Sequence, residues 1–172
     1  MRKLDYYKRF TYVPNEIYDH MKGIEDAAGG DIDLAIFPAM TGEVGTGPAL
    51  QPTVSEANDE ENPYVAIVTV KAMNKAKTKV LEFFNGVREV KVAKTSTSGT
   101  FAVDSEEQGT NTTIDLNFEN GVGTFSILLG GTWANNETIT VTVDDDNVGI
   151  MGYTVKKNNH LLIKVQSDPV EG

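Results

Sequence analysis

Cysteine is absent from this chain of 172 residues. Disulfide bonds and thiolate metal sites are therefore excluded, and any domain must be stable through its hydrophobic core alone. Histidine is nearly as scarce, with His20 and His160 as the only two. So few imidazoles leave little from which to build a metal cluster, a Cys-His pair or a Ser-His-Asp triad. We expect surface or packing roles for both histidines, no enzymatic activity and no metal or other cofactor.

Basic residues and long apolar runs are also in short supply. The chain has 15 Lys and Arg against 25 Asp and Glu, a formal net charge of -10. This charge argues against a general electrostatic attraction to nucleic acid or anionic lipid. No run of about 18 apolar residues is available to span a bilayer. The first ten residues, MRKLDYYKRF, contain no apolar stretch of signal-peptide length. We therefore expect a protein made in a cytoplasm that binds neither nucleic acid nor membrane.

From Pro63 onward, short alternating runs are separated by turn residues. This pattern is typical of an all-β sandwich or barrel. We predict strands at 64–71, 78–84, 87–93, 100–104, 112–118, 122–129, 138–143, 150–155 and 160–166. Asn85-Gly86 and Asn120-Gly121 each predict a tight hairpin, because Asn-Gly accepts the positive φ angles of a type I′ turn.

The alternation also assigns the two faces of the later strands, because successive side chains on a strand point to opposite sides. The predicted core residues are Ile114, Leu116, Phe118, Phe125, Ile127, Leu129, Ile139, Val141, Val143, Leu161, Ile163 and Val165. The predicted outer residues are Asp115, Asn117, Thr124, Ser126, Thr138, Thr140 and Thr142. Two sheets packed face to face satisfy this pattern, so we predict a mainly β chain with an antiparallel β-sandwich at residues 63–166 and a tail at 167–172.

Residues 1–62 follow a different pattern. Pro14 can open a short amphipathic helix that ends at Gly29-Gly30, and the sequence DIDLAIFP after it can form one extended strand. The next 25 residues, 39–63, are rich in Gly and Pro and contain five acids but no base. We therefore predict an extended N-terminal anchoring segment with one short helix at 1–40 and an acidic linker at 41–62.

The first 21 residues contain too many large apolar side chains for a solvated tail. A lone helix cannot bury them, so they must pack on the sandwich or on another chain. The long linker favours another chain. The predicted partner-binding residues are Tyr6, Tyr7, Phe10, Tyr12, Ile17, Tyr18 and Met21.

Two further features each allow a structural and a functional interpretation. Trp133, the only tryptophan, follows Gly130-Gly131. A large ring at the end of a strand more often plugs the end of a sandwich than it offers a platform for a sugar, and we predict a plug. The DDDN sequence at 144–147 can ligate calcium, but Val148 and Val155 stand where an EF-hand needs oxygen ligands, so we predict a solvated hairpin end.

Several short motifs resemble those of bacterial and phage immunoglobulin-like domains. The matching pieces are Phe84-Asn85-Gly86, Ser98-Gly99-Thr100, Asn120-Gly121-Val122-Gly123-Thr124-Phe125 and Gly131-Thr132-Trp133-Ala134. The likeness covers residues 63–166 and implies an immunoglobulin-like sandwich. The earlier sequences LDYYKRFTYVPNEIYDHM and IFPAMTGEVGTG resemble leader segments of phage virion proteins that carry one such domain at the carboxyl end.

This resemblance implies a non-enzymatic structural protein of a tailed bacteriophage. Such a protein decorates the capsid by binding the major capsid protein or another virion protein through its N-terminal segment, and it displays the sandwich. It assembles in the host cytoplasm and leaves by lysis, so a location on the virion needs no signal peptide. The alternatives are a tail-associated virion protein and a host-surface carbohydrate-binding module that uses Trp133 and residues 144–146. The sequence leaves open whether the chain forms a homo-oligomer.

Overall fold

The computed structural model describes residues 31–40, 49–74, 76–143, 154–156 and 158–170. They form a mainly β protein in which two sheets pack as an antiparallel β-sandwich. The strands are β1 Asp31–Met40, β2 Val65–Asn74, β3 Gly86–Lys94, β4 Gly99–Val103, β5 Glu106–Gln108, β6 Asn111–Phe118, β7 Val122–Gly131, β8 Thr138–Val143, β9 Thr154–Lys156 and β10 Asn158–Lys164. One short helix, α1, covers Val54–Ala57. No helix in the described ranges is long and apolar enough to cross a membrane.

The two sheets differ in size. One has six strands in the order β5-β4-β7-β2-β1-β9, and the other has four in the order β10-β8-β3-β6. Neighbouring strands are antiparallel except β1 and β9, which are parallel. The strands β6 and β7 follow each other in sequence but lie in different sheets, so the chain passes from one layer to the other at Asn120-Gly121.

The predicted alternation of faces is largely confirmed. Ten of the twelve predicted core residues are buried: Leu116, Phe118, Phe125, Ile127, Leu129, Ile139, Val141, Val143, Ile163 and Val165. Ile114 is half-buried and packs against the same core. The threonines of β8 alternate with its buried residues and face outward, as predicted. The core therefore lies between two sheets that each send every second side chain inward.

Leu161 is the exception, because it is 40% exposed. The register between β10 and β8 shifts between Leu161 and Ile163, which is the signature of a β-bulge. The extra residue, Leu162, is fully buried together with Ile163. The bulge therefore reverses the alternation, and the prediction that Leu161 belongs to the core was wrong for that reason.

The two Asn-Gly pairs adopt different structures. Asn120 and Gly121 have φ angles of 51° and 78°, and Glu119 and Val122 on either side exchange both backbone hydrogen bonds. This is the predicted type I′ turn, although only one bridge forms before the strands diverge into separate sheets. Around Asn85-Gly86 there is no hairpin, because β3 pairs with β6 and β8 instead.

The predicted strand at 78–84 was also wrong. Val80 forms one isolated bridge with Met73, and Leu81 and Phe84 then turn into the core, where they are 1% and 0% exposed. The backbone N–H of Leu81 donates to Ala72 O at 2.8 Å. This stretch is therefore a short cover over one end of the sandwich. Of the predicted strand at 150–155, the described residues include only the part that lies in β9.

The sandwich extends further toward the N-terminus than the predicted boundary at residue 63. The predicted strand in DIDLAIFP is confirmed as β1, but it pairs with β2 along its length and belongs to the six-stranded sheet. Part of the predicted linker is also attached to the sandwich, because Leu50 and Thr53 form bridges with Ile163 and Gln166. Residues 31–40 and 49–57 are thus elements of the sandwich, which hydrophobic periodicity did not reveal because their partners are distant in sequence.

Candidate functional site

The predicted partner-binding residues all lie outside the described residues. They are Tyr6, Tyr7, Phe10, Tyr12, Ile17, Tyr18 and Met21. The predicted helix that begins at Pro14 and the DDDN sequence at 144–147 lie outside them as well. The structure therefore describes the sandwich that these segments accompany, and the surfaces and ends of that sandwich are where a functional site can be sought.

Trp133 closes one end of the sandwich, as predicted. Its side chain is 1% exposed, and its Nε1–H donates to Gly130 O at 2.8 Å. The ring lies against the backbone of Gly99, where a Cβ atom would be 2.6 Å from a ring carbon. A ring enclosed in this way has no free face on which a sugar can stack. The interpretation of Trp133 as a carbohydrate platform is therefore excluded.

Asn58 holds Trp133 from the segment that the sequence assigned to the linker. Asn58 Oδ1 accepts a hydrogen bond from Trp133 N at 2.6 Å, and Asn58 Nδ2 donates to Trp133 O at 3.0 Å. Both backbone groups of the tryptophan are thus satisfied by one amide side chain. Sequence reasoning missed this contact, because the two residues are 75 positions apart.

The helix α1 is fixed beside this end by a capping box and by the C-terminal tail. Thr53 and Glu56 form the two reciprocal hydrogen bonds of the box. Asp168 Oδ1 accepts from Ser55 Oγ at 2.6 Å and from Ser55 N at 3.1 Å. These hydrogen bonds to Ser55 lower the pKa of the Asp168 carboxyl. Three distant stretches of chain therefore meet at the Trp133 end.

Phe84 closes the opposite end. Its ring packs edge-on against Phe118 with ring centroids 5.0 Å apart, and the Arg88 guanidinium carbon lies 4.9 Å from the Phe84 centroid. Phe84 O accepts from Gly121 N at 2.8 Å, and Asn85 Oδ1 accepts from Asn120 N at 2.7 Å. The residues around Phe84 thus bind directly to the turn that joins the two sheets.

The described residues offer no clear chemical site. No group of three or more histidines, aspartates and glutamates among them is placed to hold a metal ion. His20 lies outside the described residues. His160 is half-buried on β10, and burial, followed by the positive charge of Lys77, lowers the pKa of its imidazole. Within the described part of the chain, no hydrogen-bond partner is present for its buried Nε2.

The side chains whose burial the structure describes, those of residues 49–74, 76–143 and 159–170, form a largely polar surface. Among them, Val87, Leu161 and Val170 are the large apolar residues that are exposed. They lie on β3, on β10 and in the C-terminal tail, so they are scattered single residues, which are normal on soluble proteins. Among residues 49–74, 76–143 and 159–170, no apolar patch is large enough to mark a docking surface.

On the outer face of the four-stranded sheet, two acidic residues occupy opposite register positions. Glu89 on β3 lies directly opposite Asp115 on β6, and both side chains are exposed. Like charges in directly opposite positions of an antiparallel pair destabilise each other. The sequence could not reveal this pair, because it depends on which strand lies beside β3 and in which register.

Comparisons with known proteins do not assign the chain to a family. No protein-family model matches the chain, and a search of curated proteins found no match.

Proposed function

We propose that this chain is a non-enzymatic structural protein of a tailed bacteriophage, which attaches to the capsid through its N-terminal segment and displays the sandwich on the virion. The observation that carries the proposal is a contrast in apolar content. Residues 49–74, 76–143 and 159–170 of the sandwich expose three scattered large apolar side chains, whereas the first 21 residues include Tyr6, Tyr7, Phe10 and Tyr12. Aromatic side chains that fill pockets on a partner contribute most of the binding energy in typical interfaces.

The strand order supports an immunoglobulin-like relationship for the sandwich. If β1, β2, β3, β4, β7, β8 and β10 are taken as strands A to G, the sheets read D-E-B-A and G-F-C. This is the order of the constant-type immunoglobulin fold, and all of these neighbours are antiparallel, as that fold requires. The strand β6 is an addition beside strand C.

Two hallmarks of antibody domains are absent. The chain has no cysteine with which to form the inter-sheet disulfide, and its tryptophan follows strand E instead of lying on strand C. The two aromatic plugs stabilise the sandwich without a disulfide. The relationship is therefore one of architecture, and function must be argued from surfaces.

The fold narrows the segment that we assign to attachment. Because β1 begins at Asp31 and belongs to the sheet, the anchoring segment is residues 1–30 instead of 1–40. The proposed anchors are Tyr6, Tyr7, Phe10, Tyr12, Ile17, Tyr18 and Met21. Their partner is the major capsid protein or another virion protein.

The proposal is tested with capsid shells that lack this protein. A variant in which Tyr6, Tyr7, Phe10 and Tyr12 are all replaced by serine is compared with a control in which Val87 and Leu161 are replaced by serine. We expect the first variant to bind at least about 30-fold more weakly, since one strong anchor alone contributes about 2 kcal/mol. The control removes apolar surface from the sandwich and is expected to bind like the wild type. Unchanged binding by the first variant together with weakened binding by the control would show that the sandwich attaches the protein to the shell.

The same N-terminal segment can attach a protein to a phage tail. The number of copies per virion separates the two locations, because a decorated shell carries hundreds of copies and most tail accessories are few. Because Trp133 is buried, it cannot provide the stacking surface of a carbohydrate-binding site.

A further inference from the structure

The strand β6 forms one side of the four-stranded sheet. It pairs with β3 along its full length, from Gly86 opposite Phe118 to Ala93 opposite Asn111, and the strand order ends there. The strand is eight residues long and contains neither proline nor lysine. A long, regular edge without such residues is a template onto which another strand can add.

Other edges of this protein are protected. The strand β5 has only three residues, and two of them are glutamates. The outer edge of β10 is covered by the segment around Leu50, which donates from its N–H to Leu162 O and accepts from Lys164 N, both at 2.9 Å. Short length, charge and coverage are the usual means by which proteins block strand addition. Among the described residues, β6 is neither short nor covered, and Asp115 is its only charged side chain.

The register shows which backbone groups of β6 point outward. Lys94 N donates to Thr110 O at 3.0 Å, which extends the register in which Ala93 lies opposite Asn111. Hydrogen-bonded and non-hydrogen-bonded pairs alternate along an antiparallel ladder, so even-numbered residues of β6 bond to β3. The bond from Thr95 N to Thr138 O agrees, since it assigns odd-numbered residues of β3 to β8. The outward-pointing residues of β6 are Asn111, Thr113, Asp115 and Asn117.

No hydrogen bond from any described residue reaches the outward backbone groups of these four residues. All four side chains are also exposed, on the outer face of the sheet. At the end of β6, Asn117 O lies close to Gly123 of β7, where a Cβ atom would be 3.1 Å from it. Among the described residues, the uncovered part of the edge is therefore Asn111 to Asp115, with three outward N–H and three outward C=O groups. This is the arrangement that proteins use when they bind an extended peptide as an additional strand.

The charge of this edge indicates the kind of peptide. Asp115 and Glu89 lie opposite each other on the outer face, and within the described residues neither forms an ion pair. The neighbouring row contains Lys91 opposite Thr113, so one base stands near two acids. In an added strand, the residue beside Asp115 would project on the same face within about 5 Å. A lysine or arginine there would relieve the repulsion between the two carboxylates.

We propose that the outer edge of β6 binds an extended segment of a partner protein as a fifth strand, with a lysine or arginine of that segment beside Asp115. A second copy of the chain fits this edge poorly, because pairing would bring two such acidic rows together in chains that each carry a net charge of -10. The site does not depend on residues 1–30, so it stands separately from attachment to a shell.

The test uses the full-length, isotopically labelled chain and an end-blocked, ten-residue peptide of threonines with lysine at two alternate central positions. We expect saturable shifts in the amide NMR signals of Asn111, Thr113 and Asp115. A matched peptide with glutamate in place of lysine is expected to bind at least about tenfold more weakly, a difference of about 1.4 kcal/mol.

Three variants sharpen the test. Asp115→Lys is expected to weaken binding of the lysine peptide at least tenfold and to favour the glutamate peptide. Thr113→Pro removes one outward N–H, which an edge strand tolerates, and is expected to abolish binding of both peptides. Glu107→Lys, on the short edge strand β5, makes the same change in charge and is expected to leave both affinities within twofold.

Three results would overturn the proposal. One is the absence of saturable shifts, or shifts that map away from β6. Another is an equal loss of affinity in Glu107→Lys, which would indicate a non-specific attraction between charges. The last is self-association of the free chain in sedimentation experiments with protected amides on β6, which would make a second copy the occupant of this edge.

Discussion

The two ends of the sandwich are each closed by a buried aromatic ring, but the contacts that hold the rings differ. Trp133 is held by polar contacts, since Asn58 binds both of its backbone groups and Gly130 O accepts from its indole N–H. Phe84 is held by Phe118 and Arg88 and by the backbone of the turn at Gly121. Both rings are at most 1% exposed.

This difference shows two ways in which the ends of a sandwich without disulfides can be closed. At the Trp133 end, the side-chain amide of Asn58 helps to attach residues 49–58 to the sheets, together with the burial of Ala57 and the packing of Leu50 and Val54 on the core. The Phe84 end uses chain adjacent to β3, and its stability comes from apolar burial. In both cases the closing residues belong to the described sandwich. We infer that this unit does not need residues 1–30 in order to fold.

Removal of either ring is expected to have the largest effect on stability. We expect Trp133→Ala and Phe84→Ala each to lower the free energy of unfolding by about 3 to 5 kcal/mol, because each leaves a large cavity. Urea denaturation monitored by circular dichroism measures both, since that signal does not require the tryptophan. A loss below about 1 kcal/mol in either variant would mean that the ring does not close its end.

Milder substitutions test whether the two ends are independent. The strand β7 separates them by ten residues, or about 33 Å. We therefore expect Trp133→Phe and Phe84→Leu to be additive within about 0.5 kcal/mol in the double variant. A larger coupling energy would show that the ends communicate through the core.

The two glycines of the Asn-Gly pairs provide a matched comparison at the Phe84 end. Gly121 and Gly86 have φ angles of 78° and 97°, so alanine is strained at both by about 1 kcal/mol or more. Only at Gly121 would the new Cβ atom collide with backbone, 2.5 Å from Leu81 O, whereas at Gly86 the nearest atom is at 3.8 Å. We expect Gly121→Ala to destabilise by at least about 1 kcal/mol more than Gly86→Ala in urea denaturation. Equal losses of unfolding free energy would show that the contact with Leu81 O does not contribute to the effect of Gly121→Ala.

Substitution of Asn58 tests the hydrogen bonds that hold the Trp133 end. Asn58→Ala is expected to cost about 1 to 3 kcal/mol of unfolding free energy, because it leaves two partly buried backbone groups of Trp133 without partners. Asn58→Asp keeps an acceptor for Trp133 N and loses the donor to Trp133 O, so an intermediate loss at pH 7 is expected. A wild-type unfolding curve for Asn58→Ala would contradict this role.

The smallest effect is expected from the pH dependence of His160, near the Phe84 end. Burial and Lys77 lower the pKa of the folded imidazole, whereas in the unfolded chain that pKa is about 6.5. Below about pH 6.5 the unfolded chain therefore binds more protons, and stability falls as the pH falls. His160→Gln is expected to make the unfolding free energy less dependent on pH between 7 and 5. His20 is common to both proteins, so the difference reports His160. An unchanged slope would contradict the lowered pKa.

The sequence predicted those parts of the fold that depend on local pattern. Alternation identified the core faces of β6, β7 and β8, and Asn120-Gly121 identified a type I′ turn. Alternation failed at Leu161, because a bulge inserts one residue and reverses the faces. It failed again at 78–84, where apolar residues at strand-like spacing form a cover and not a strand.

Long-range contacts escaped prediction for a physical reason. The pairing of β1 with β2 and the bonds of Asn58 to Trp133 are chosen by the whole fold, so similar local sequences can have different outcomes. Asn85-Gly86 illustrates this, since its preference for a hairpin loses to the pairing of β3 with β6 and β8. The position of β6 at the edge of the four-stranded sheet likewise follows from strand order, which no local pattern encodes. Trp133 was predictable as a plug because it is the only tryptophan and follows a strand end.

We propose as the central claim that the sandwich formed by strands β1 to β10 folds without residues 1–30, and that residues 1–30 attach it to a virion. The most direct measurement is the binding of a chain that begins at Asp31 to capsid shells, beside the full-length protein, with urea unfolding as the check that the shortened chain is folded. We expect the same unfolding midpoint for both proteins and no shell binding by the shortened one. Undiminished shell binding by a folded chain that lacks residues 1–30 would contradict the claim.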